Sequence, residues 1–138
     1  MRSVQIRSFV AVLALTGAVS SARSESSLDG PRRTEFRIHQ RVIGAFDAQS
    51  TISRRVADWQ RALPKRRFSL DMNSYAPERR IYFDNRSWID LRSDGTIILS
   101  NPGVLGNIQR SAKCNSGDPV LEELRSLFAE VERQAEMP

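Results

Sequence analysis

The sequence predicts an α+β fold: an antiparallel β-meander of about four strands, packed on one face by two amphipathic helices. Three observations carry this reading. Short apolar runs separated by turn residues fill the stretch 68–99, and residues 50–63 and those from 118 onward place apolar side chains at helical spacing. At 138 residues the chain has the length of one domain, and 40% hydrophobic with 27% charged residues is a mix that can bury a core.

The first 22 residues read as an export signal. Arg2 and Arg7 form a basic start, residues 9–19 are uncharged and mostly apolar, and Ser20-Ser21-Ala22 offers small residues for cleavage after Ala22. The run is shorter than the roughly 20 apolar residues that span a bilayer. The expected domain organisation is therefore a signal peptide at 1–22, a flexible leader at 23–33 and a single α+β domain at 34–138. The expected location is exported, in a bacterial periplasm or outside the cell, with no membrane span left after cleavage. Residues 30–92 carry 14 basic and 7 acidic side chains, whereas residues 93–138 carry 4 and 7, so the basic charge is concentrated in the first half.

The stretch 34–47 is read as a fifth strand over 35–43, because Phe36, Ile38, Gln40 and Val42 alternate; a helical recurrence of Ile38, Val42, Ala45 and Phe46 competes with it. In 50–63, Ile52, Val56, Trp59 and Leu63 form one stripe of a helix that Ser50 or Thr51 can cap and Pro64 ends. Phe68, Leu70 and Met72 alternate with polar residues as the first strand of the meander. Ile81-Tyr82-Phe83, Trp88-Ile89-Asp90-Leu91 and Thr96-Ile97-Ile98-Leu99 follow.

A three-residue loop Ser93-Asp94-Gly95, with glycine at its left-handed last position, sets Leu91 opposite Ile97 and Ile89 opposite Leu99. A similar loop at Asn85-Arg86-Ser87 sets Phe83 opposite Ile89 and Ile81 opposite Leu91. Both registers gather Ile81, Phe83, Ile89, Leu91, Ile97 and Leu99 on one face. Residues 100–117 hold Pro102, Gly103, Gly106 and Gly117 without a sustained period and read as a long loop. Asp118 then caps a helix with Pro119 at its first position and a stripe of Val120, Leu121, Leu124, Leu127, Phe128 and Val131.

Inventory excludes most catalytic templates. One histidine and one cysteine rule out any site needing two of either, and neither a nucleophile elbow nor a phosphate loop is present. No metal site and no cofactor is predicted. Cys114 with His39 is the remaining pair for thiol chemistry, and a lone cysteine in an exported chain is also a candidate for an intermolecular disulfide that builds a homodimer.

A binding role is the stronger expectation. Arg80, Tyr82, Trp88, Asp90, Arg92 and Ile98 point away from the helix-covered face, and arginine beside aromatics is what interaction surfaces enrich. The loop at 100–117 is a second candidate surface. A third is a basic patch of Arg54, Arg55, Arg61, Lys65, Arg66 and Arg67, which competes with the plainer reading of a solvated face. The partner expected for these surfaces is a protein, an anionic glycan or a lipid headgroup. Nucleic acid is disfavoured because an exported chain rarely meets it.

Overall fold

The computed structural model describes residues 30–137, so the proposed signal peptide and most of the proposed leader lie outside the described residues. The strands are β1 (Thr34–Ile38), β2 (Arg41–Phe46), β3 (Ser69–Leu70), β4 (Arg79–Phe83), β5 (Trp88–Leu91), β6 (Thr96–Gly103) and β7 (Gly106–Lys113). The helices are α1 (Thr51–Arg61) and α2 (Pro119–Ala135). All seven strands form one antiparallel sheet in the order β2-β1-β4-β5-β6-β7-β3. The fold is α+β, with more strands than the four or five expected.

The extra strands come from two segments read otherwise. Residues 34–47 are a hairpin, β1 and β2, turned by His39 and Gln40 with φ of 46° and 69°. Two consecutive left-handed residues make a turn that usually announces itself with Asn or Gly, and His-Gln gives no such signal. The expected loop at 100–117 is mostly the β6–β7 hairpin, with Val104 and Leu105 at its tip. Gly103 sits where an added Cβ would lie 2.8 Å from the Gly106 carbonyl oxygen, and Gly106 has φ 128°. Pro102 is tolerated because β5 ends opposite Ser100, leaving β6 a neighbour on one side only.

The β5–β6 register is as expected, with Leu91 facing Ile97 and Ile89 facing Leu99. The β4–β5 register is displaced by two residues: Ile81 faces Ile89 and Arg79 faces Leu91. The turn is Asp84-Asn85-Arg86, closed by Phe83 N–H donating to the Ser87 carbonyl at 3.0 Å, with Arg86 left-handed at φ 72°. Asn85 Oδ1 accepts from Ser87 N–H at 3.1 Å, a local bond that accompanies a turn one residue nearer the N-terminus than expected. Because side chains alternate with period two, this slip keeps the apolar face intact.

The segment 68–72 is also displaced. β3 pairs with β7 at the far edge of the sheet, while β1 takes the place beside β4. Phe68 is buried, but Leu70 and Met72 are exposed and Asp71 is buried instead. Asp71 is held there by Tyr75 Oη at 2.7 Å, Ser111 Oγ at 2.7 Å and Asn73 N–H at 2.9 Å.

One face of the sheet carries the core. Phe36, Ile81, Ile89, Leu91 and Ile97 meet Ile52, Val56 and Trp59 of α1 and Leu121, Leu124, Leu127, Phe128 and Val131 of α2. Each such side chain contributes about 1.5–3 kcal/mol by leaving water. Ser50 caps α1 through Ser53 N–H, Asp118 caps α2 through Val120 N–H, and Trp59 Nε1 donates to the Val120 carbonyl at 2.9 Å, tying the helices together.

Gly95 is the tightest point of the core-side turns. Its φ is +90°, and an added Cβ would lie 2.4 Å from the Cys114 carbonyl oxygen. Gly117 has φ +91° with open space around it. Gly95→Ala is expected to cost about 3 kcal/mol, left-handed strain plus a backbone clash, against about 1 kcal/mol for Gly117→Ala. Urea unfolding of the two variants checks this, and equal losses would contradict it.

Candidate functional site: the helix-free face of the sheet

The alternation that builds the core places a second set of side chains on the face without helices. Register aligns them in two rows. Glu35, Tyr82, Trp88, Ser100 and Gln109 form one, and Arg37, Arg80, Asp90, Ile98 and Ser111 form the other.

Arg80 is the centre of this face. Its Nε and Nη2 both donate to Asp90 Oδ2, at 2.9 and 2.7 Å. Its guanidinium lies 3.5 Å from the Trp88 ring centroid and 5.9 Å from that of Tyr82. On the other side of Tyr82, the Arg37 guanidinium stands 4.7 Å from the ring, and Arg37 Nε donates to Glu35 Oε2 at 2.6 Å. Tyr82 Oη donates to Gln40 Oε1 at 3.0 Å. The result is an alternating stack, Arg37–Tyr82–Arg80–Trp88, in which each cation sits over an aromatic face.

The stack is only the part of the face nearest β1. The connection from β3 to β4 must return from one edge of the sheet across β7, β6 and β5, and it does so on this face. Gln109 Nε2 donates to the Asn73 carbonyl at 2.8 Å, the Arg92 guanidinium lies 4.9 Å from the Tyr75 ring, and Arg92 Nη1 donates to the Ala76 carbonyl at 2.8 Å. Arg92 also pairs with Glu78 at 2.7 Å, and Glu78 N–H donates to Asp90 Oδ2 at 3.3 Å. Residues 71–78 thus form a strap over β5–β7.

This corrects the expected surface. Asp90 and Ile98 beneath the strap have no exposed area and Arg80 beside it only 7%, so these three of the expected contact residues are covered by the chain itself. Tyr82, Trp88 and Arg92 are half-buried. Asp90 is the most constrained of the set: burial pushes its carboxyl pKa up against the pull of Arg80, and its Oδ1 is buried without a hydrogen-bond partner. Asp71, by contrast, is drawn down to about 2 by the Tyr75 and Ser111 hydroxyls and the Asn73 amide. Arg37, Glu35 and Gln40 escaped the sequence reading because nothing in it placed 34–38 beside 79–83.

Comparison with protein-family models, curated proteins and solved structures finds no match.

The structure does not bring Cys114 and His39 together. Both lie at one end of the sheet, but His39 follows β1 and Cys114 follows β7, four strand spacings or about 19 Å apart. Cys114 is 3% exposed and its Sγ accepts from Arg67 Nη2 at 3.2 Å. Burial pushes its thiol pKa up, with Arg67 pulling the other way. That is the opposite of an activated nucleophile, and an intermolecular disulfide would first require the β7–α2 connection to open.

The basic patch is partly neutralised. Arg55 meets Glu123 at 3.3 Å, Arg61 pairs with Asp58, and Arg67 pairs with Asp118; Arg54, Lys65 and Arg66 are exposed. Among the described residues no group of three or more His, Cys, Asp or Glu is arranged to hold a metal ion. No helix among them is long and apolar enough to cross a membrane. A cleft of about 350 Å³ beneath α2 has Leu91 and Phe128 as its apolar lining and Arg79, Arg92, Arg125 and Glu132 as its charges.

Cys114 supplies a direct check. Because its thiol is held above the ordinary value, alkylation by iodoacetamide near neutral pH is expected to run at least about tenfold slower in the folded chain than in urea. The folded-state rate should keep rising with pH after the unfolded rate has levelled. Equal rates in the two states would contradict the burial.

Proposed function

We propose that this chain is a small exported protein that acts by binding, and that it presents the Arg37–Tyr82–Arg80–Trp88 stack to a protein partner. The observation that carries the reading is the stack itself: four large side chains on a helix-free sheet face, locked into one arrangement by cation–π contacts and by the Arg80–Asp90 pair. Immobilised aromatic and guanidinium groups lose little conformational entropy on binding, which is why they concentrate at interaction hot spots. Tyr82 and Trp88 are half-buried, which leaves part of each for contact.

Two further observations support binding over catalysis. The one thiol is buried and raised, and the one histidine is exposed at a distant turn. Export rests on the basic start, the short apolar run and the small-residue cleavage point of residues 1–22.

The test places a photo-crosslinking p-benzoylphenylalanine at Tyr82 in the native host, with exposed Ser126 on α2 as control. A discrete protein adduct is expected at Tyr82, with the chain beginning at Arg23 by mass spectrometry. It should be absent at Ser126 and lost on Trp88→Ala. No adduct at Tyr82, or the same adduct at Ser126, would contradict the proposal, and a chain still beginning at Met1 would contradict export.

A further inference from the structure

The β6–β7 hairpin runs past the rest of the sheet. β5 ends opposite Ser100, and pairing with the β3 segment stops at Asp71 N–H on the Gln109 carbonyl. Beyond those points the ribbon stands alone, and at its tip the side chains of Val104 and Leu105 are fully exposed. Ile108, on the same ribbon, is 45% exposed, and Met72 and Leu70 are exposed on the neighbouring β3 segment. Single exposed apolar residues are ordinary, but here the two most exposed in the described chain are adjacent and at the most projecting point.

Sequence and charge narrow what such a tip can meet. No charged residue occurs from Gly95 to Gln109, so the tip can enter a low-dielectric phase without carrying a charge with it. A projecting two-residue tip offers no groove, and a fluid apolar layer accepts it without a matching cavity. The ribbon's outward backbone groups are unpaired past Gln109, which limits entry to the tip.

The same end of the sheet carries cations. Exposed Arg86 lies in the β4–β5 turn next to Trp88, which faces Ser100, and exposed Arg33 precedes Thr34, which faces Phe83. The acids there are Asp47 and Asp84, and Asp84 is taken up by Arg32 at 3.1 Å. The formal net charge is +5 over all 138 residues and +3 from Arg23 onward, since Arg2 and Arg7 leave with the proposed signal.

We propose that the β6–β7 tip is a membrane-surface anchor: Val104 and Leu105 enter the headgroup–acyl boundary of an anionic bilayer while Arg33 and Arg86 meet lipid phosphates. This is the behaviour of an interfacial element, which rests on the membrane without crossing it. It holds whichever partner the arginine–aromatic stack takes.

The test is sedimentation of the chain, as recovered from its host, with vesicles of phosphatidylcholine mixed with phosphatidylglycerol and with vesicles of phosphatidylcholine alone. The wild type should pellet with the mixed vesicles and weaken as salt is raised. Val104→Ser with Leu105→Ser should reduce partitioning at least about tenfold, the scale of exposing one such side chain. Val42→Ser, exposed on the opposite edge strand, should leave it unchanged, and Arg33→Gln with Arg86→Gln should reduce the preference for mixed vesicles. The tip side chains touch nothing in the fold, so circular dichroism should be unaltered in the tip variant. Absence of vesicle binding, or binding equal in the wild type and the tip variant, would overturn the proposal. So would a wild type that is dimeric without vesicles and a tip variant that is monomeric, which would give the tip to a second copy of the chain.

Discussion

A carboxylate with no exposed surface must be held by its surroundings, and Asp90 is held by Arg80. Much of the helix-free face follows from that pair. Placing Arg80 opposite Asp90 agrees with the β4–β5 register, and the same Oδ2 accepts Glu78 N–H, which fixes the end of the strap. Holding the guanidinium over the Trp88 ring sets the inner half of the stack, and Arg37 with Glu35 extends it onto β1. A buried ion pair adds little net stability over an apolar packing of similar shape, but breaking it by removing one partner is severe. Its role here is to select one arrangement of a polar face.

The two faces differ in how far they could be read from sequence. The apolar face was legible because period-two alternation and the 3.6-residue helix stripe survive uncertainty in loop length. The β4–β5 hairpin slipped by two residues and Ile81, Ile89, Leu91 and Ile97 still shared a core. The polar face was legible only as a list of residues. Its geometry depends on which strand lies beside β4, and the His39-Gln40 turn that brings β1 there carries no glycine or asparagine signal. The strap depends on β3 pairing at the far edge through Ser69 and Leu70; the alternation of 68–72 marks a strand there but not which strand it joins. The long hairpin was hidden by Pro102, Gly103 and Gly106, residues that mark loops in most contexts and here shape a ribbon with few neighbours.

The strap divides the face into a covered and an open part. Over β5–β7 it gives Asp90, Ile98 and Ser111 a cover of the chain's own making, and toward β1 it leaves Tyr82 and Trp88 partly open. The second exposed feature, the Val104–Leu105 tip, belongs to the end of the sheet that carries Arg33 and Arg86. If both proposals hold, the stack on one face and the apolar tip at one end would meet a partner and a surface from different sides of the sheet. The basic patch around α1 is partly tied up in ion pairs with Asp58, Glu123 and Asp118, so its positive run in the sequence overstates the charge it displays.

The central claim is that Arg80 and Asp90 act as one unit. A double-mutant cycle on stability, with Arg80→Met, Asp90→Leu and both together in urea, tests it most directly. Each single change is expected to cost about 3–5 kcal/mol, because each takes from a buried charge its nearest counter-ion, Asp90 keeping only Arg92 at 3.8 Å and the Glu78 amide. The double change should cost less than the sum of the two by about 2 kcal/mol or more. Asp90 already has its carboxyl pKa above the ordinary value when folded, so the folded state holds its proton more tightly than the unfolded one. Arg80→Met raises it further, and that variant should regain stability as pH falls from neutral toward the carboxylate range. Additive losses, with no recovery on acidification, would contradict the account.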